Sequence, residues 1–160
     1  MKKHITILLF IFIISCSKDK HKDYEVMNDF MNNIFLVENY KIEYLNKYMT
    51  DEYVEKYNSL SKKENEIHEK FTKAIIDKVK KTLSDNDNKY EIIEEEKLTK
   101  EKYKGYYDID YQGNGKIYRL IINENYILFF ILENQKIYSF CPDIYQSSKG
   151  KVIPYFFFEK

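Results

Sequence analysis

The sequence predicts an α+β domain in which N-terminal helices pack on a curved antiparallel β-meander, and three observations carry that prediction. Apolar residues recur at three- and four-residue spacing between Tyr24 and Leu83. Beyond Lys104 the period shortens to two, as in a strand with one face inward. After Gly115 the apolar runs are separated only by short polar turns, which is the pattern of consecutive hairpins. Helices first and strands afterwards place the helical stripes over one face of the sheet.

Each element has its own signal. Met27, Phe30, Met31, Ile34 and Phe35 form one face of a helix from Tyr24 to near Glu38, broadened by Leu36 and Val37. Ile42, Leu45, Tyr48 and Met49 mark a second helical stretch. Thr50-Asp51-Glu52 then supplies a cap and an acidic first turn for a short helix with Val54, Tyr57 and Leu60. Ser61-Lys62-Lys63-Glu64 is a capping box, followed by a stripe through Ile67, Phe71, Ala74, Ile75, Val79 and Leu83 that stops at Ser84-Asp85-Asn86-Asp87-Asn88.

Tyr90-Glu91-Ile92-Ile93 opens a strand, and alternation through Tyr107, Ile109 and Tyr111 predicts another, with Asp108 and Asp110 toward water. Gly113-Asn114-Gly115 reads as a hairpin turn; it lacks the spacing of a phosphate-binding loop and precedes a strand. Lys116 to Ile122, Tyr126 to Leu132 and Lys136 to Cys141 complete the meander. The middle run is apolar on both sides, which suits a covered central strand or a buried helix segment. Val152 to Phe158 predicts a last strand, placed at an edge by Pro154.

The chain starts differently. Lys2 and Lys3 precede an apolar run from Ile5 to Ile14, broken only by Thr6 and followed at once by Ser15, Cys16 and the charged Lys18-Asp19-Lys20. That is the shape of a signal peptide, and it is shorter than the ~20 apolar residues that span a bilayer. Ile13-Ile14-Ser15-Cys16 resembles the lipobox of bacterial lipoproteins. The resemblance implies cleavage after residue 15, a lipidated Cys16 as mature N-terminus, a tether over residues 16–23 and one globular domain over residues 24–160. Two or three acyl chains would hold such a protein at the membrane surface without spanning it. Ser17 in second position implies the outer membrane in a cell that has one, otherwise the outer face of the cytoplasmic membrane. Element order from Tyr24 to Phe158 is similar to the small NTF2-like or cystatin-like domains, although no strand is evident between the second and third helices, where many NTF2-like domains have one.

Composition limits what the residues can be taken to mean. Arg119 is the single arginine among 26 basic residues, Trp is absent and Tyr occurs 16 times, a bias that an AT-rich genome produces. Without Lys2 and Lys3 the chain holds 24 basic residues against 26 acidic, a mature net charge of about −2 that does not suggest nucleic acid. Lipidation of Cys16 leaves Cys141 as the remaining thiol, so an internal disulfide is excluded.

Catalytic patterns are sparse. His68 lies four residues after Glu64 without the HExxH zinc pattern and reads as part of a solvated helix face. Cys141 with His68 is conceivable as nucleophile and base, but Phe140-Cys141-Pro142 at a strand end reads as an inert thiol. Glu94-Glu95-Glu96 with Asp108 and Asp110 has no calcium-loop pattern, and Lys78, Lys80 and Lys81 suit the negative end of a helix. No metal or cofactor is expected. The expectation is a non-enzymatic, lipid-anchored envelope protein that binds a protein or a small ligand with its sheet face. An immunity protein against an envelope-acting toxin is one version. Another is a hydrophobic-ligand site in an NTF2-like cone lined by Tyr107, Tyr118, Tyr126 and Tyr138.

Overall fold

A computed structural model describes residues 21–141, 150–152 and 154, and of Cys141 only the backbone. Helices precede a four-stranded antiparallel sheet, the predicted α+β class. Helix α1 occupies residues 21–30 and passes into a π-turn at Met31–Phe35, closed by Leu36 N–H donating to the Met31 carbonyl at 2.8 Å. Met31, Ile34 and Phe35 of this turn are all buried. Ile42–Lys47 is a 3₁₀ turn, followed by α2 (Asp51–Ser59) and α3 (Lys62–Ser84). Both caps form as expected: Thr50 accepts from Tyr53 N–H, and Ser61 and Glu64 make the reciprocal capping box.

The sheet runs in the order β1 (Glu91–Glu94), β2 (Lys116–Ile122), β3 (Asn125–Glu133) and β4 (Lys136–Cys141). Two-residue turns join β2 to β3 at Asn123–Glu124 and β3 to β4 at Asn134–Gln135, with φ of 49° and 62° in the first and 50° and 63° in the second. Positive φ at both central residues matches the twist of paired strands, and asparagine tolerates the first position well.

Alternation along the strands separates two cores. Tyr118, Leu120, Ile122, Leu128, Phe130, Leu132, Ile137 and Phe140 meet the helices in the larger core. The opposite face carries Phe129 and Ile131 in one cluster and Ile121 and Tyr126 in another. Both are roofed by a strap, residues 95–115, which contains 3₁₀ turns at Glu95–Lys97 and Lys100–Lys102 and then an extended run. The described residues therefore form three layers: helices, sheet and strap.

Several expectations are corrected by this packing. Tyr107, Ile109 and Tyr111 do face inward, but their segment is no ladder strand. It crosses the sheet face and, among the described residues, meets strand backbone at isolated bridges, Lys104 with Asn125 and Ile109 with Val152. β1, not this segment, is the strand that pairs with β2 beside β3. Gly113–Gly115 is accordingly a turn out of the strap, not a hairpin. The Tyr111 ring lies against it, and a Cβ on Gly113 would fall 2.3 Å from the Tyr111 hydroxyl, so glycine is needed for close approach. Of the final predicted strand, Val152 bridges Ile109, while residue 153 and residues 155–160 lie outside the described residues.

On α3 the inward face is His68, Thr72, Ile75, Ile76, Val79 and Leu83, and Ile67 is 60 % exposed. The buried stripe is rotated by about one residue from the apolar one, because its first turns pack on aromatic side chains of α2 that accept a polar neighbour. Residues 21–23, assigned to the tether, are already helical, and Asp23 is buried against Lys116 (2.9 Å) and Tyr118 (2.8 Å). The folded body thus begins before Tyr24. Cys16 and residues 1–15 lie outside the described residues.

Candidate functional site

Among the described residues Arg119 is the largest fully buried side chain. It sits on the strap side of β2, where its Nε donates to Glu95 at 2.5 Å and one Nη to Glu95 at 3.3 Å and to the Tyr107 carbonyl at 2.8 Å. Its guanidinium carbon lies 4.7 Å from the Tyr107 ring centre, 5.3 Å from Tyr106, 5.5 Å from Tyr126 and 5.9 Å from Phe129. Nη1 is buried without a hydrogen-bond acceptor among the described residues. The negative faces of the surrounding rings take the place of an acceptor. A planar, weakly hydrated cation suits such a slot and a lysine ammonium does not, which is a reason for arginine here in a chain otherwise served by lysine.

The Tyr106 hydroxyl extends this network, donating to Glu95 at 2.7 Å and Asp108 at 2.9 Å. Burial and the acidic partners push its ionisation up to about 12, against the pull of Lys100, so it stays a donor. Of the carboxylates considered for a cation, Glu94 pairs with Lys97, Glu95 with Arg119 and Tyr106, and Asp108 with Lys100 and Tyr106. No grouping of His, Cys, Asp and Glu among the described residues is arranged to hold a metal ion. Arg119 is closed in on every side and serves to pin the strap to the sheet.

The four tyrosines proposed as a pocket lining do not come together. Tyr107 and Tyr126 meet beside Arg119, with ring centres 6.5 Å apart, and Tyr138 packs on Tyr111 at 5.9 Å. Tyr118 lies on the opposite face, fully buried, donating to Asp23. Successive odd and even positions of β2 point to opposite sides, and no single cavity can collect both sets. Helices cover one sheet face and the strap the other, so an open binding face on the sheet is also corrected.

His68 is not on a solvated face. It is 5 % exposed, its Nε2 lies 3.2 Å from the Tyr53 hydroxyl, and the Tyr57 ring meets it edge-on at 5.4 Å. Cys141 sits opposite Phe129 in the β3–β4 register, and its side chain lies outside the described residues. Burial lowers the imidazole from 6.5 to about 4, so at neutral pH it is uncharged. The folded protein excludes a proton that the unfolded chain binds below its ordinary value. This contribution is fully present above pH 6.5 and is lost as the pH falls toward 4. By linkage the loss reaches at most about 2 kcal/mol at pH 5. Urea midpoints should therefore fall between pH 7 and pH 5, and His68→Gln should remove most of that fall; equal pH slopes in both proteins would contradict the assignment.

An open concavity lies elsewhere, between α3 and residues 38–42. This groove has a volume of about 450 Å³. Glu66, Glu69, Lys70, Lys73, Asp77 and Lys80 line one wall at three- and four-residue spacing, and Glu38, Tyr40 and Ile42 line the other. Lys80 holds the walls together, donating to the carbonyls of Val37 and Glu38 while lying 5.2 Å from the Tyr40 ring. The basic residues late in α3 thus include a tie to the first helical segment, beyond the dipole effect. Lys73 pairs with Asp77, and Glu69 accepts from Tyr57 at 2.9 Å. The Tyr40 hydroxyl is buried without a partner among the described residues, and burial together with Asp77 pushes its ionisation up to about 12.

Sequence reasoning missed this groove because its residues read as the solvated side of an amphipathic helix. Nothing in the sequence placed residues 38–42 beside that side. No protein-family profile, no curated protein and no solved structure matches the chain.

Proposed function

We propose that the protein is a lipid-anchored component of the bacterial cell envelope that works by binding a protein partner, without catalysis. The lipobox Ile13-Ile14-Ser15-Cys16 carries this reading, because its basic start, apolar length, small residue and cysteine occur in the order that lipid attachment requires. The protein sits in the outer membrane where the cell has one, and otherwise on the outer face of the cytoplasmic membrane.

The binding part of the reading is supported by the groove beside α3. Its size falls in the range of ligand sites. Its walls carry Glu38, Glu66, Lys70 and other charged groups, which favour a charged protein segment over a small hydrophobic molecule. The non-catalytic part is supported by His68, which is uncharged and buried between tyrosines instead of facing the groove.

Intact mass and membrane fractionation of the full chain expressed in a bacterial host test the proposal. Wild type should yield a chain starting at Cys16 with added acyl mass in the membrane fraction, and Cys16→Ala should lose both. Unacylated, soluble product from both would overturn it.

A further inference from the structure

We infer that the domain stands on the membrane with one end of its sheet, the end carrying the Asn134–Gln135 turn, resting on phospholipid headgroups. The inference rests on the lipid-anchor reading of Cys16 and adds an orientation to it.

The argument is one of reach. Five residues carry the chain from Cys16 to His21, where the structure is already helical. Fully extended, that leash covers at most about 18 Å. Two residues later Asp23 is fixed to Lys116 and Tyr118 at the start of β2. In the antiparallel register Lys116 lies opposite Leu132, so the same end of the sheet carries the Gly113–Gly115 turn, the end of β3 and the start of β4. The Asn123–Glu124 turn is at the other end. Turning the molecule over would send the leash back along β2 from Tyr118 to Asn123, about 17 Å of strand, leaving almost none to reach lipid.

The chemistry of the near end agrees. A recess of about 550 Å³ opens there, lined by Asp23, Asn114, Lys116, Glu133, Asn134 and Gln135. Amides and charges of both signs suit a zwitterionic headgroup layer. The large apolar side chains that are strongly exposed among the described residues, Tyr44 and Ile67, belong to the helical layer. Contact with headgroups without insertion into hydrocarbon follows.

The test uses the acylated full chain in phosphatidylethanolamine–phosphatidylcholine vesicles, with Cys141→Ser as background. A fluorophore is placed at Asn114→Cys or Asn125→Cys, exposed positions at the near and far ends, and quenched by spin-labelled headgroups. Circular dichroism of each labelled protein against wild type checks the fold. Quenching should be at least twofold stronger at position 114, and inserting ten Gly-Ser residues before Lys20 should erase the difference. Equal or reversed quenching in protein that floats with the vesicles would overturn the orientation while leaving the anchor intact. Protein that fails to float would overturn both, through the anchor.

Discussion

Arg119→Ala is expected to destabilise the domain by about 3 kcal/mol and to release the strap. The value is set by what the deletion strands. Glu95 loses both bonds to the guanidinium, and the Tyr107 carbonyl loses its donor. Breaking one side of a buried ion pair costs about 3–5 kcal/mol, and the lower end applies because the Glu95 side chain retains 22 % of its exposure to water. Arg119→Lys should recover little, since a lysine ammonium cannot bond Glu95 as a planar fork or lie flat among Tyr106, Tyr107 and Tyr126. Replacing both partners, Arg119→Met with Glu95→Gln, should recover most of the loss, because no uncompensated charge remains. Urea unfolding gives the stabilities. Hydrogen exchange at Asp110 and Val152, whose amides donate to the Val152 and Asp108 carbonyls, reads the strap. An Arg119→Ala protein within 1 kcal/mol of wild type, roughly the effect of an exposed pair, would show that Arg119 is no pin.

How much of this was readable without the structure differs by element, for physical reasons. β2, β3 and β4 emerge from the sequence almost residue for residue, since alternation and asparagine at turns needing positive φ are local properties. The capping box of α3 is equally local. The inward face of α3 is not. His68 and Thr72 enter the core while Ile67 stays out, and the sequence of α3 alone does not reveal that Tyr53 and Tyr57 offer His68 a bond and a ring face. The strap shows the same division. Alternation assigns its inward side chains correctly, whereas lying across the sheet face with isolated bridges instead of joining the ladder is a matter of tertiary packing. Arg119 did leave a mark: one arginine among 26 basic residues, set in a strand of Ile, Tyr and Leu. Attributing the scarcity of arginine to codon bias explains why there are few, but not why one is kept at this position.

Phe30→Ala should match or exceed the Arg119 effect, with a loss of about 3–5 kcal/mol. Phe30 is fully buried where α1 meets the sheet and the chain leading to α2. Its ring lies 5.3 Å from Phe35 and from Tyr48, 5.8 Å from Phe130 and 5.2 Å from Phe140, mostly edge to face. Those partners come from the π-turn, the segment after the 3₁₀ turn, and the two strands β3 and β4, so one side chain touches four parts of the fold. Truncation removes the ring's transfer energy and also leaves space that elements held apart by their own backbone bonding cannot close. The cavity term therefore adds to the transfer term. Phe30→Leu keeps most of the volume while losing the edge-to-face geometry, and its loss should stay nearer about 1–2 kcal/mol, the cost of an imperfect swap. Comparing the two variants by urea unfolding separates volume from ring geometry. If Phe30→Ala and Phe30→Leu lost the same stability, ring-specific contacts would be the main term; a loss under 1 kcal/mol for Phe30→Ala, far below about 3, would mean that α1 is not held to the sheet through this residue.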